Sequence, residues 1–420
     1  MGGLFCATEE DIRGGATMDV YFGRTKQILE ARGLAGVPVW AEFTGGSLPN
    51  GWDWAVFCGL QEVLNLMEGL PVDVYAVPEG TVFKPRTDRT VRVPLMNVHG
   101  AYTDFGEMET AILGMLCQPS GIATQAARTK MAAGWKSVFA FGNRRMHPAI
   151  SGVIDRSAYI GGCDAVSSAM GGEITGSVPV GTVPHALMLM MGSNDAAFRA
   201  FDEIIEPEVP RIMLIDTFSD ERVAAIDACR SVKDLKGVRL DTPGSRRGNF
   251  KELVNEVRWE LDMYGYRDVD IIVSGGLNED TVAALADTCV SGFGVGTSIS
   301  NAPTLDLSMD LVEKDGVPVS KRGKFGGRKF AYRCPECFSM GVSLSPDDDV
   351  VCSCGCRMEM IERKVLDHGR KVLPDREPSE IRAEVLRQVR RISELRGRRA
   401  GGPARRPRAG GGPSGALSLI

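Results

Sequence analysis

Four short apolar runs between Arg211 and Ser300, each closed by a polar or glycine-rich turn, constrain this chain more than any other feature. They read RIMLIDTFSDE, GVRLDTPGSRRG, DVDIIVSGGLNED and DTCVSGFGVGTS. Runs this short fall below helical length and suit buried strands. Stretches of helical length lie between them, at Glu221–Val232, Asn249–Tyr264 and Glu279–Ala286. Strand–helix–strand alternation gives a parallel sheet, expected here to curl into an irregular α/β barrel. Loops at the C-terminal ends of barrel strands build the active site. In this chain they carry Asp216, Arg239, Asp241, Ser245, Arg246, Arg247, Gly275, Gly276, Gly294 and Gly296. Acids, arginines and glycines on one rim point to a phosphorylated substrate and a metal.

The whole chain, at 420 residues, exceeds one ordinary domain. A net charge of −5 argues against bulk nucleic-acid binding. The opening MGGLFCATEEDIRGG lacks the basic start and apolar core of a signal peptide. No apolar run approaches the roughly 20 residues that span a bilayer. A cytoplasmic protein is expected. Five of the 11 cysteines crowd one segment and the rest are scattered, which suits a reducing compartment and one metal site better than a disulfide framework.

In chain order, residues 1–117 read as an α+β domain, completed by 303–330. It holds a helix at 16–31 that Thr17 can cap, with Tyr21 and Phe22 in its first turns, packed inward if this is a plain surface helix. Strands follow at Val37–Phe43 and Val72–Phe83, with a helix at Trp52–Leu66 between them. Two helices, Glu107–Cys117 and Ile122–Ala133, lead into barrel residues 118–302. Asp306–Arg322 reads as a hairpin turning at Asp315-Gly316. A zinc-ribbon region is expected at 331–375. A C-terminal helix is expected at 376–396, on the spacing of Ile381, Val385, Val389 and Ile392. The Gly-, Pro- and Arg-rich tail 397–420 reads as disordered.

The cysteine cluster is the most specific local signal. Cys334 and Cys337 form one knuckle, and Cys352, Cys354 and Cys356 form the other. Zn²⁺ takes four thiolates tetrahedrally, so four of these five are ligands. Cys352 and Cys354 are favoured, because Gly355 then follows a ligand, and Cys356 competes. Four thiolates leave no position for water, which makes the zinc structural. Arg239 and Asp241, two apart on a strand, share a face. Arg239 can clamp a carboxylate and Asp241 can bind ribose hydroxyls, or Mg²⁺ through water. The loops Ser274-Gly275-Gly276 and Gly292–Thr297 let backbone N–H groups approach phosphate. His185 sits at a strand–helix turn in GTVPHA.

The segments ATMDVYFGRT, ETAILGMLCQPSGIATQAAR, FGNRRMHP, GGCDAVSSAM, GTVPHA, GVRLDTPGSRRG, VSGGLNED and GFGVGTS together resemble nicotinate phosphoribosyltransferase, in the archaeal-type branch with a C-terminal zinc knuckle. The resemblance covers about residues 8–375. It implies a type II phosphoribosyltransferase fold, and the reaction of nicotinate with phosphoribosyl pyrophosphate, coupled to ATP hydrolysis through a phosphohistidine. On that resemblance His185 is the phosphorylated histidine, and Arg239 and Asp241 lie at the pyridine and ribose. Phe141 stacks on one ring face, and Tyr21 of a neighbouring subunit stacks on the other. Arg144 and Arg145, with Ser245 and Arg246, hold phosphate groups. Gly275, Gly276, Gly294, Gly296 and Thr297 hold the 5′-phosphate, and Asp164 makes a polar contact near the ring. Shared sites imply a homo-oligomer, at least a dimer, with nicotinate, phosphoribosyl pyrophosphate, ATP and Mg²⁺ as further partners. Many relatives read GLRR or GYRG where this chain has Gly142-Asn143-Arg144-Arg145. The alternatives are a quinolinate or nicotinamide phosphoribosyltransferase on the same fold and, more distantly, a zinc-ribbon nucleic-acid binder.

Overall fold

The computed structural model describes residues 3–400. The chain divides into two compact units, one of Met1–Gly121, Pro303–Arg376 and Glu384–Ile420, the other of Ile122–Ala302 with Glu377–Ala383.

In the second unit, strands Ile212–Leu214, Gly237–Leu240, Asp270–Val273, Gly292–Val295 and Ser137–Ala140 form one sheet in that spatial order, with every pairing parallel. These are near-continuous runs of apolar residues because both faces of a parallel sheet are covered. Val138, Met213, Val238, Ile271, Val273 and Phe293 are fully buried in the unit's core. Beyond Ser137–Ala140 the curve continues without a regular ladder. Phe139 bridges Ala165 in parallel, and Val180 N donates to Val166 O. The expected barrel is therefore an open five-stranded sheet, extended by two irregular segments. Helices Glu221–Ser231, Phe250–Met263 and Glu279–Leu285 connect its strands.

In the first unit an antiparallel sheet runs Val317–Pro318, Leu307–Lys314, Pro38–Gly45, Pro94–Ala101, Asp73–Ala76, Arg363–Asp367 and Arg370–Lys371. The expected hairpin turns at Asp315 and Gly316, both left-handed at φ 51° and 73°, as a two-residue type I′ loop requires. Residues 331–375 belong to this unit. Ala331, Met340, Val365 and Leu366 lie in its core, and Arg363–Asp367 adds to its sheet.

Several local expectations are corrected. The first long helix spans Val20–Ala31 with Asp19, not Thr17, at its cap position, and Asp19 caps nothing with its side chain. Its carboxylate instead accepts from Thr110 Oγ1 at 2.9 Å. Phe22 packs inward, but Tyr21 is 55% exposed. The helix expected from Trp52 covers only Leu60–Met67, after the left-handed Gly59 at φ 95°, and Ala55–Val56 pairs instead with Val82–Phe83. The two helices expected around Gln118 are one, Glu109–Ala132, with Pro119 inside. The C-terminal helix continues through Ala400, past the expected start of the disordered tail. The rest of that tail lies outside the described residues.

Candidate functional site

The rim at the C-terminal end of the parallel sheet gathers the acids and the arginine. Strand alternation puts Arg239 and Asp241 on one face, with Nη1 3.5 Å from Oδ2. Arg239 Nη1 also donates to Ser274 Oγ at 3.2 Å, and Nη2 to Val183 O at 3.3 Å. Ser274 Oγ lies 3.0 Å from Asp241 Oδ1, so one buried hydroxyl links both. Burial holds the guanidinium below its ordinary pKa, with Asp241 and Asp216 opposing. Its Nε is buried without a hydrogen-bond partner among the described residues.

His185 opens the helix His185–Met191. Its Nδ1 is 3.0 Å from Thr217 Oγ1. Its Nε2 lies 3.9 Å from Asp216 Oδ2 and 3.8 Å from Asp241 Oδ2. The Asp216 side chain is 1% exposed. Neither of its oxygens has a hydrogen-bond partner among the described residues. Burial raises its pKa, His185 opposes the shift and Asp241 adds to it.

The glycines clear space. Gly275 and Gly276 are left-handed, and a Cβ at Gly275 would lie 2.9 Å from both Arg247 Nη2 and Asp241 Oδ1. Arg247 ties two loops together, donating to Thr242 O and Gly275 O, each at 2.7 Å, with its guanidinium over the Phe250 ring. A Cβ at Gly294 would meet Phe141 Cε2 at 2.5 Å. Phe141 therefore crosses this strand only because the residue is glycine. Gly296 passes beside the Phe141 backbone, and Thr297, itself exposed, starts a short turn of helix whose Ile299 and Ser300 are buried. Arg144 and Arg145 are exposed on the 3₁₀ turn Asn143–Arg145, as are Ser245 and Arg246 on Gly244–Arg247.

Asp164 is not part of this gathering. Its N–H donates to Val138 O, at the start of its strand and so at the opposite end of the sheet. Its carboxylate pairs with Lys130 at 2.6 Å and Arg382 at 2.7 Å, and accepts from Val138 N. It is an anchor of the fold. Tyr21 belongs to the other unit. Sequence reasoning assigned no role to Thr217, and it named Ser274 only as part of its glycine loop, not for its hydroxyl. Their only signals were a hydroxyl beside an acid in IDT and one before the glycines in VSGG.

In the first unit, the Sγ atoms of Cys334, Cys337, Cys352 and Cys354 all lie within 4.8 Å of one another. Cys334 and Cys354 are 3.5 Å apart, and Cys337 and Cys352 3.4 Å. Gly355, left-handed at φ 88°, turns the second knuckle and donates to Cys352 O. Cys356 falls outside this group of four. Four converging sulfurs suit a tetrahedral metal ion.

Family models for the quinolinate phosphoribosyl transferase N-terminal and C-terminal domains match residues 19–120 and 122–310. A solved nicotinate-nucleotide pyrophosphorylase from Pyrococcus furiosus is 47% identical with a TM-score of 0.88, covering 94% of this chain and 99% of that one. Human nicotinic acid phosphoribosyltransferase shares the fold, with a TM-score of 0.71 at 20% identity over 89% of this chain and 94% of that one. The chain has the type II phosphoribosyltransferase fold, built of these two domains. Two nicotinate phosphoribosyltransferases of Mycobacterium tuberculosis are similar in sequence. One is 34% identical over 278 residues, 62% of this chain and 58% of that protein. The other is 30% identical over 343 residues, 77% of this chain and 70% of that protein. The chain thus spans well under two thirds of the first relative, and it belongs to the nicotinate phosphoribosyltransferase family.

Proposed function

We propose that this chain transfers the phosphoribosyl group of phosphoribosyl pyrophosphate to nicotinate, giving nicotinate mononucleotide and pyrophosphate for NAD salvage, with ATP hydrolysis coupled through His185. The observation that carries the reading is the meeting of Arg239, Asp241, Asp216 and His185 within 4 Å contacts on one rim.

Arg239, pinned by Ser274 and Val183, presents a cation to the nicotinate carboxylate. Phe141 offers a ring face to the pyridine and limits its approach. The pyridine nitrogen donates its lone pair to the anomeric carbon, and the bond to pyrophosphate oxygen breaks with its electrons leaving on pyrophosphate. Positive charge grows on the sugar, where the Asp241 carboxylate stabilises it. Arg144, Arg145, Ser245 and Arg246 suit the departing phosphates. The loops at Gly275-Gly276 and Gly294–Thr297 suit the 5′-phosphate. For ATP coupling, Thr217 engages Nδ1 and leaves Nε2 facing the rim to take the γ-phosphoryl group. ADP leaves, and later hydrolysis releases phosphate. Asp216 and Asp241 suit a hard cation, since both Asp216 oxygens are buried without partners among the described residues. Mg²⁺ there would offset phosphate charge. The four-cysteine group would hold a structural Zn²⁺. Exposed Tyr21 is available to cap the pyridine in a neighbouring copy, which makes at least a dimer. No helix among the described residues is long and apolar enough to cross a membrane, and we place the activity in the cytoplasm.

The quinolinate family models supply a second reading, a quinolinate phosphoribosyltransferase. One experiment separates them. Purified protein is given phosphoribosyl pyrophosphate with nicotinate, nicotinamide or quinolinate, each with and without ATP, and products are separated by chromatography. Nicotinate turnover stimulated by ATP is expected, with stimulation lost and basal turnover kept in His185→Ala. Quinolinate turnover with release of CO₂, and none of nicotinate, overturns the proposal.

A further inference from the structure

A buried carboxylate behind the rim has no part in the chemistry above. Asp155, on the helix Ser151–Gly161, is fully buried. Its Oδ2 accepts from Asn143 Nδ2 at 2.8 Å, Ser168 N at 3.1 Å and Ser168 Oγ at 2.5 Å. Ser168 Oγ in turn accepts from Gly171 N at 2.9 Å and caps the helix Ala169–Thr175. One oxygen thus ties together three segments, and one of them is the turn that exposes Arg144 and Arg145. A Cβ at Gly171 would lie 2.2 Å from that oxygen, so the chain keeps glycine there to admit the carboxylate.

Burying a carboxylate is costly unless it is well partnered. Here Asp155 Oδ1 and Asn143 Oδ1 are both buried without a hydrogen-bond partner among the described residues. A neutral side chain would join the same segments at lower cost. What the carboxylate adds is a short, charge-assisted bond that fixes the Asn143 amide. The backbone of the turn is otherwise held by two local bonds, Arg145 N to Gly142 O and Met146 N to Asn143 O. Two long, exposed arginines on so short a turn bind phosphate well only if their Cα positions are set beforehand.

We infer that Asn143 and Asp155 are positioning residues that pre-set the Arg144–Arg145 turn for the pyrophosphate of phosphoribosyl pyrophosphate. The inference deepens the proposed function and rests on it. The pair touches no substrate and acts through the two arginines.

The test is a reciprocal exchange in the full-length protein. Asn143→Asp sets two carboxylates against each other. Asn143→Asp with Asp155→Asn removes that repulsion and keeps a carbonyl oxygen for Ser168, although the single oxygen position cannot also donate to the new carboxylate. Binding of phosphoribosyl pyrophosphate is measured by calorimetry, KM for each substrate by steady-state assay, and folding by circular dichroism. Asn143→Asp is expected to weaken phosphoribosyl pyrophosphate binding and raise its KM at least tenfold, with KM for nicotinate changed less than threefold. The exchanged pair, relieved of the repulsion, should bind phosphoribosyl pyrophosphate at least threefold more tightly than the single variant. If Asn143→Asp does not fold, Asn143→Ala is expected to show the same selective rise in KM. Unchanged binding in a folded single variant, or an exchanged pair no better than the single, overturns the inference. A parent protein that binds no phosphoribosyl pyrophosphate overturns the phosphoribosyl reading itself.

Discussion

Replacing Gly294 by alanine probes the base pocket through one methyl group. That carbon would lie 2.5 Å from Phe141 Cε2, 2.6 Å from Cδ2 and 3.0 Å from Ser274 Cβ. Carbon atoms rest at about 3.5–4.0 Å, so something must retreat by about 1 Å. Ser274 cannot, because it is buried and bonded to both Arg239 and Asp241. The Phe141 ring, only partly buried, moves instead, toward the space proposed for the pyridine. Overpacking of this kind costs about 1–3 kcal/mol, a fall in Tm of about 2–12 °C for a domain of this size class. A 1 Å misplacement of a positioning group costs roughly 10²-fold in rate. The assay is kcat/KM for nicotinate beside a thermal melt. The double variant Phe141→Ala/Gly294→Ala removes the clash as well as the stack. Its stability loss should therefore be smaller than the sum of the single losses by about 1 kcal/mol or more, while nicotinate turnover stays low. Additive losses, or Gly294→Ala with parental Tm and kcat/KM, would show that the ring does not lie across this strand.

Two further outcomes follow from the first unit. Cys354→Ser is expected to lower bound zinc from one to well below one per chain, measured by elemental analysis, whereas Cys356→Ser keeps it, since Cys356 lies outside the group of four. Burial raises the Glu109 carboxyl to about 7 from an ordinary 4.5, with Asp310 adding and Lys321 opposing. Between those values the native state holds more protons than the unfolded chain, so stability falls as pH rises through the window. Because the group is only half buried, solvent screening reduces the effect to about 1 kcal/mol. Glu109→Gln should therefore raise Tm at pH 8 and not at pH 4.5, and an equal gain at both would refute this origin.

The parallel half of the molecule was readable because burial on both faces leaves short uninterrupted apolar runs. GVRL, DIIV and GFGV each became the expected strand. The front half was less so. Trp52–Leu66 carries apolar residues dense enough to look helical, yet Gly59 breaks it and its first part pairs as a strand. Arg239 and Asp241 could be matched because they lie on one strand and alternation relates them. The meeting of His185 with Asp216 and Thr217 joins different parts of the chain, which no local spacing encodes. Asp164 was placed near the ring by the family resemblance alone. Its N–H meets Val138 O where that strand has just begun, so it lies at the other end of the sheet.

The central sheet of the first unit pairs Phe43 with Met309, while Ile122–Ala302, lying between them in sequence, forms a body of its own. During synthesis, Pro38–Gly45 leaves the ribosome long before Leu307–Lys314 is made, and one of its edges stays bare meanwhile. The intervening body has all its own parallel strands by Val295 and can collapse first. Nascent chains halted after Ala302 should thus hold a parallel unit that lacks only Glu377–Ala383, together with an unfinished, aggregation-prone first unit.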